Sequence, residues 1–101
     1  MVFERGGCVY IIANKTHSVL YTGVTSDLMS RIWEHRNKVH PTSFTAKYNC
    51  TKLVFYQSYS AIQEAIAAEK IIKAGNRQSK IDLIGSMSPE WFDLYDGLLM
   101  E

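Results

Sequence analysis

The chain has few of the residues that would place it in a specialised structural class. Of its 101 residues only two are cysteines and two are prolines. Cys8 and Cys50 are too few for a disulfide scaffold and have neither the spacing nor the neighbouring histidines of a zinc site. We expect two free thiols, with Cys8 a small buried hydrophobe in a strand.

Long apolar segments are absent as well. No run approaches the roughly 20 consecutive apolar residues that span a membrane, and the opening MVFERGG lacks the apolar centre of a secretion signal. We expect a cytoplasmic protein that does not enter a membrane. The length fits one compact domain, residues 1–101, with a single core.

Neither sign of charge dominates, but the charges are unevenly distributed. The formal net charge is +1, yet residues 31–80 hold nine basic and three acidic side chains, and residues 81–101 hold five acidic and no basic ones. Such asymmetry is typical of a protein with one face for an anionic polymer. An ordinary solvated surface is the alternative that charge alone leaves open.

Apolar periodicity predicts an α+β fold. Short β-branched and aromatic runs predict three strands, at residues 8–12, 19–22 and 53–56, of which the first two form a hairpin. Helical spacing predicts a helix over residues 27–36, another from Ser60 to about residue 74, a short one near residues 81–84 and a last one that begins at Ser88. The predicted order is β-β-α-β-α-α-α, a three-stranded antiparallel sheet flanked by helices, with a long loop over residues 37–50.

Local signals place the ends of these helices. Thr25 or Ser26 is expected to cap the first helix, and Ser60, with Gln63 three residues later, to cap the second. Gly75 is expected to end that second helix. The sequence Ser88-Pro89-Glu90 has the order that a helix start prefers.

Two tyrosines are expected on one face of the hairpin. A turn centred between Lys15 and Thr16 would place Tyr10 directly opposite Tyr21, with both hydroxyls directed the same way. The pair is a candidate catalytic pair, or an aromatic pair that stabilises the hairpin.

Arg31 and His35 lie one turn apart on the first helix and therefore share a face. A guanidinium binds phosphate oxygens through several donors, and an imidazole moves protons near neutral pH, so together they suit phosphate chemistry. The alternative is a solvated helix face, where Arg and His are common.

Glu69 lies within the apolar stripe that Ile62, Ala65, Ile66 and Ile72 form on the second long helix. Burial of an unpaired carboxylate costs several kcal/mol or more, so this one must be protonated, paired or bound to a cation. Two interpretations stay open: an ion pair with Lys70, Lys73 or Arg31, and a metal site in which water and phosphate oxygens complete the ligands of Mg²⁺.

Six ordered segments resemble the GIY-YIG nucleases, and in particular their small single-domain bacterial members. Cys8-Val9-Tyr10 and Tyr21-Thr22-Gly23 stand where the two name triplets belong, with Cys8 and Val9 in place of Gly and Ile. The second triplet continues through Arg31, and the other four segments are Phe44 to Cys50, Glu64 to Lys70, the basic segment Asn76 to Lys80, and Pro89 to Leu94.

The resemblance implies a metal-dependent DNA endonuclease that hydrolyses phosphodiester bonds. By similarity, Glu69 would hold one Mg²⁺ or Mn²⁺ ion, Tyr10 or Tyr21 would help to deprotonate water, and Arg31 would stabilise the pentavalent phosphorus. His35 would relay a proton or orient the water. DNA contacts are expected in the loops over residues 37–50 and 74–80, and the candidate DNA-binding side chains are Lys47, Lys73, Arg77 and Lys80.

The substrate implied is DNA that is branched, single-stranded or under repair. No small-molecule cofactor is expected, and a protein partner would serve in targeting. The alternative is a non-catalytic module that kept the fold and binds nucleic acid or docks on a partner. A net charge of +1 offers a small phosphate footprint, so affinity should be weak and strongly dependent on salt.

Overall fold

The computed structural model describes residues 6–99. In chain order its elements are β1 (Gly7–Ala13), β2 (Leu20–Thr25), α1 (Leu28–Arg36), α2 (Phe44–Lys47), β3 (Lys52–Tyr59), α3 (Ile62–Ala74), α4 (Arg77–Met87) and α5 (Tyr95–Leu99). The predicted α+β order is confirmed with one addition, because α2 interrupts the expected loop over residues 37–50. Within the described residues, no helix is long and apolar enough to cross a membrane.

The three strands form an antiparallel sheet in the order β2-β1-β3, so that β1 is the central strand. Its side chains alternate between two cores. Cys8, Tyr10 and Ile12 pack with Leu28 and Ile32 of α1, while Val9 and Ile11 pack on the other face with Ile84 of α4. Helices therefore cover both faces, and a tyrosine of the central strand is held inside the first core.

Both cysteines are free, as expected, and both are buried. Cys8 is fully inaccessible in the strand core, and burial raises the pKa of its thiol to about 11. Such a thiol stays protonated at neutral pH and acts as a packing group.

The hairpin register differs from the prediction by two residues. Tyr21 is paired with Ile12, and Tyr10 with Gly23. The cause lies in the turn, where Asn14 N–H donates to the Val19 carbonyl and the Asn14 side-chain oxygen accepts from Val19 N–H. This closure moves the turn centre along the chain. Because side chains alternate with a period of two, the two tyrosines still share a face, as diagonal neighbours.

Helix α1 begins one residue later than predicted and has a different cap. Asp27 is the N-cap, and its carboxylate accepts from the N–H and the hydroxyl of Ser30. Thr25, one of the two expected caps, instead accepts from Asp27 N–H through its hydroxyl. A carboxylate at an N-cap also interacts favourably with the helix dipole, which explains why Asp27 serves here.

The start of α3 corrects another predicted cap. Ala61 is the N-cap and makes no side-chain hydrogen bond, while the Ser60 hydroxyl donates to the Glu64 carboxylate. The end of α3 at Gly75 is confirmed. Helix α4 then begins at Arg77, capped by the Asn76 side chain, so the basic segment Asn76 to Lys80 contains the first turn of a helix.

The segment that starts at Ser88 does not begin a helix. Ser88 is the C-cap of α4: its N–H donates to the Ile84 carbonyl, and its hydroxyl donates to that of Phe92. Trp91 has a φ of 59°, in the left-handed region, which a right-handed helix cannot contain. The last helix begins only at Tyr95.

Asp93 ties this C-terminal segment to the rest of the molecule. One carboxylate oxygen accepts from the N–H groups of Leu53 and Tyr95 at 3.2 and 3.0 Å, and the other pairs with Arg36 Nη1 at 2.5 Å. The carboxylate thus connects β3, α5 and the end of α1. It fixes the helix on which Arg31 and His35 lie.

Candidate active site

Tyr10 lies in the first core with only 2% of its surface exposed. Its ring crosses the position of Gly23 on β2, where an added Cβ would overlap the phenol oxygen. A side chain at residue 23 would therefore displace the tyrosine. The glycine of the second triplet is explained by this close approach rather than by a special backbone conformation.

Tyr21 stands beside Tyr10 and is half-buried. The two ring centroids are 6.5 Å apart with an interplanar angle of 44°. Tyr21 lines an open cleft, together with Arg31 and His35 of α1. The sheet and the first helix thus bring three of the predicted site residues to one surface, with Tyr10 directly beneath it.

Arg31 is 44% exposed at its side chain and is paired with Glu34, with 3.5 Å between Nε and Oε1. An exposed ion pair of this kind contributes little to stability. The guanidinium therefore retains donors for another anion in the cleft.

His35 connects two elements through hydrogen bonds at both ring nitrogens. Nε2 lies 2.9 Å from the Tyr10 hydroxyl oxygen, and Nδ1 lies 3.0 Å from the hydroxyl oxygen of Thr45 in α2. Thr45 is 4% exposed. A continuous chain of polar groups therefore runs from the central strand through α1 to α2.

The protonation states in this chain follow from burial. Burial lowers the pKa of His35 from its usual 6.5, and the charge of Arg31 lowers it further. Burial also raises the pKa of Tyr10 well above its ordinary value, with a further increase from Tyr21 and an opposing effect from Arg31. Near neutral pH the imidazole and the phenol are therefore both uncharged.

Two uncharged groups fix the direction of the hydrogen bonds. A neutral phenol donates best to the unprotonated nitrogen of a neutral imidazole, which assigns Nε2 as acceptor and Nδ1–H as donor to Thr45. His35 is then placed to take a proton from Tyr10.

Glu69 of α3 points inward, as its place in the apolar stripe predicts, and its side chain is only 15% exposed. Its carboxylate is paired with Lys73, with 3.0 Å between Oε2 and Nζ. Lys73 Nζ in turn lies 5.9 Å from the centre of the Tyr21 ring. Of the two interpretations that the sequence left open, the structure shows the ion pair. This ion pair lies next to Tyr21, a candidate catalytic residue.

The side chains near Glu69 can hold a cation such as Mg²⁺ only if water and substrate supply further ligands. Within residues 6–99, no group of three or more His, Cys, Asp and Glu side chains is placed to hold a metal ion. One carboxylate can nevertheless bind Mg²⁺ when water and phosphate oxygens supply the remaining ligands. Glu69 fits that arrangement, with Lys73 as the cation that a metal ion would replace or accompany.

The four predicted DNA contacts occupy different positions. Lys47 lies in α2 beside the cleft, with Nζ 5.6 Å from the Tyr48 ring, and Lys73 lies beside Tyr21. Arg77 instead donates to the carbonyls of the hairpin turn, and Lys80 Nζ donates to the Gly75 carbonyl at 2.8 Å. Two of the four thus adjoin the cleft, and two are engaged with the backbone.

The sequence-based prediction assigned no role to Phe44 or Thr45, although both line the cleft. Both lie on α2, a helix of four residues that is too short to produce an apolar period. The available signal was Ser43, whose side chain caps α2 by accepting from Ala46 N–H. A capping serine before Phe-Thr-Ala-Lys would have predicted a helical turn.

Comparison with known proteins places this fold in one family. A family model for the GIY-YIG catalytic domain matches residues 6–82. The chain belongs to the GIY-YIG family. The matched region of this GIY-YIG chain contains the cleft residues described above and ends before the last helix. The family is a nuclease superfamily whose members generally use divalent metal ions.

Curated relatives and a solved structure agree with this assignment. The GIY-YIG chain is 38% identical to a UPF0213 protein of Clostridium perfringens over 79% of its own length and 84% of the relative's. It is 36% identical to a UPF0213 protein of Staphylococcus haemolyticus over 75% and 90% of the two lengths. The solution NMR structure of a UPF0213 protein from Bacillus halodurans matches with a TM-score of 0.55 at 26% identity, covering 87% of this chain and 92% of that one.

Proposed function

We propose that this GIY-YIG chain is a divalent-metal-dependent DNA endonuclease that hydrolyses phosphodiester bonds with water. The observation that carries the proposal is the hydrogen bond between the Tyr10 hydroxyl and His35 Nε2, below a cleft lined by Tyr21 and Arg31. A buried phenol joined to a neutral imidazole can accept and pass on a proton, as hydrolysis by water requires.

Tyr10 acts in this proposal as a proton relay. The phenol gives its proton to His35 Nε2 while it takes a proton from the attacking water, whose oxygen forms the new bond to phosphorus. Because burial raises the pKa of Tyr10, a standing phenolate is unfavourable, and a relay keeps the phenol neutral before and after transfer. His35 holds the proton, and the Thr45 hydroxyl keeps the ring oriented.

The other three residues of the proposed site have separate roles. Arg31 donates to the non-bridging oxygens of the phosphate and stabilises the negative charge that grows as the bond to the 3′ oxygen breaks. Tyr21 orients the phosphate at the mouth of the cleft. Glu69 would hold one Mg²⁺ or Mn²⁺ ion, which supplies Lewis-acid stabilisation of the leaving oxygen when bound.

Substitution of Glu69 tests this proposal. Glu69→Gln keeps the shape of the side chain but removes its charge, so we expect cleavage to fall by about 100-fold or more with the circular dichroism spectrum unchanged. The measurement is nicking of labelled nicked, flapped, branched and single-stranded oligonucleotides with Mg²⁺ or Mn²⁺, against the same reactions in EDTA.

Glu64→Gln is the matched control, because Glu64 is an exposed glutamate of the same helix. It should cleave like the wild type. Tight binding of these oligonucleotides by the wild type, without cleavage in any metal, would contradict the proposal and favour a non-catalytic nucleic-acid-binding module. Cleavage by folded Glu69→Gln at the wild-type rate would remove Glu69 from the mechanism.

A further inference from the structure

The rim of the cleft carries an exposed aromatic surface that the proposed proton transfer does not use. Phe44 and Tyr48, which we call the aromatic rim, are 48% and 42% exposed. Their ring centroids are 4.7 Å apart, and the Phe44 ring lies 6.1 Å from that of Tyr21. Three rings therefore form a series that begins at a candidate catalytic tyrosine and ends in solvent.

The aromatic rim is held outward by its own helix. Thr45 of α2 is buried and hydrogen-bonded to His35, and its carbonyl accepts from Cys50 N–H. Ser43 caps the start of the helix. Because α2 is anchored on its inner side, it cannot rotate to bury Phe44 without loss of the hydrogen bond that orients His35.

The charges around the aromatic rim favour an anionic occupant. Arg31 and Lys38 line the cleft with Phe44, and Lys47 Nζ lies near the Tyr48 ring. The one acidic residue in that lining is Glu34, which is already paired with Arg31. A flat aromatic surface bordered by cations matches a nucleotide, whose base is planar and apolar and whose phosphate is negative.

We propose that the aromatic rim stacks one unpaired nucleobase of the nucleotide beside the scissile phosphate, with Lys47 contacting the next phosphate. The placement beside a scissile phosphate rests on the proposed function. A base can stack on Phe44 only when one of its faces is free, so the bound nucleotide must be single-stranded or turned out of a duplex. The aromatic rim thereby selects for DNA without a complementary strand at the cut.

Binding of two matched oligonucleotides by the full chain tests this proposal. One probe is a thymidine oligomer of about 12 nucleotides, and the other is an abasic oligomer of equal length, which has the same phosphates and no bases. Affinities are measured by fluorescence anisotropy in EDTA at low salt, so that no cleavage can occur. Phe44→Leu removes the ring and keeps an apolar side chain, whereas Phe44→Trp keeps a stacking surface.

We expect Phe44→Leu to weaken binding of the thymidine oligomer by about 5- to 100-fold and to leave binding of the abasic oligomer unchanged. Phe44→Trp should bind both probes like the wild type. Phe92→Leu is the control, because Phe92 is 66% exposed and does not line the cleft. It should match the wild type on both probes.

Equal losses on both probes, no loss on either, or no binding of the thymidine oligomer by the wild type would overturn the proposal. So would dissociation of a dimer by Phe44→Leu, seen by sedimentation, with DNA affinity unchanged, because the aromatic rim would then cover a second copy of the chain. Failure of the nuclease proposal alone would appear as base-dependent binding without cleavage in any metal. Failure of the stacking proposal alone would appear as cleavage with base-independent binding.

Discussion

At the scale of single residues, the candidate site combines a tyrosine whose pKa is raised with a histidine whose pKa is lowered. Tyr10 is made a weaker acid by burial, and His35 a weaker base by burial and by Arg31. Neither residue carries a charge in the resting protein near neutral pH. The identities of both followed from the sequence, but their protonation states did not, because burial depends on packing between elements distant in the chain.

The shifted pKa of His35 predicts the acid limb of the pH dependence. Since the folded pKa is below the usual 6.5, His35 is neutral above pH 6.5 and gains a proton only as the pH falls through the lowered value. We therefore expect the cleavage rate to hold down to pH 6.5 and to decline at more acid pH. Steady-state rates between pH 5 and 8 measure this.

The free energy of unfolding should also fall as the pH falls. The pKa of His35 is lower in the folded protein than in the unfolded chain, so the unfolded chain binds a proton at a higher pH and acid stabilises it relative to the folded state. Urea unfolding at each pH separates that effect from catalysis. His17→Gln is the control for the cleavage measurement. Burial and Lys52 also lower the pKa of His17, but this residue lies at the hairpin turn. Removal of the acid limb by His17→Gln would show that His35 is not its source.

At the scale of elements, the sequence was most informative where a periodic pattern was long enough to count. The central helices and the end of α3 at Gly75 were predicted, while α2 was not, because four residues make only one turn. The hairpin register could not be predicted, since it depends on the Asn14 side chain closing onto Val19. Ser88 was correctly predicted to be a helix cap, but it caps the end of α4 rather than the start of the last helix.

The small helix α2 acts on α1 through one hydroxyl, and Thr45→Val tests that contact. Valine has nearly the same shape but cannot accept from His35 Nδ1, so we expect kcat to fall by about 10-fold, the value of one hydrogen bond, with KM little changed. Thr45→Ser should restore most of the rate. A wild-type kcat for folded Thr45→Val would show that His35 is oriented without this contact.

At the scale of the whole molecule, the excess of basic charge lies in the middle of the chain and the excess of acid near its end. The fold divides the predicted cations further, because Lys47 and Lys73 adjoin the cleft while Arg77 and Lys80 hold backbone carbonyls. Sequence counts could not separate these two groups, since the His17 carbonyl that Arg77 contacts lies 60 residues away in the chain.

This small cationic surface predicts weak binding that depends steeply on salt. The logarithm of the affinity for single-stranded DNA should fall linearly with the logarithm of the salt concentration, and Lys47→Gln should reduce that slope by roughly one. Anisotropy titrations between low and physiological salt measure it. Lys15→Gln, an exposed lysine of the hairpin turn, should leave the slope as it is, and an equal change in both variants would contradict a local contact of Lys47.

The central position of β1 also has a consequence for how the protein is made. Tyr10, Tyr21, His35 and Thr45 all precede β3 in the chain, whereas Glu69 follows it. An isolated two-stranded hairpin is at best marginally stable in water, and the core around Tyr10 also contains Leu53 and Leu98, so during synthesis on the ribosome the hairpin depends on segments that emerge later. The nascent chain thus receives the residues of its proposed proton relay before the carboxylate proposed to hold the metal, and the relay is not fixed in place until the outer strand has paired with β1.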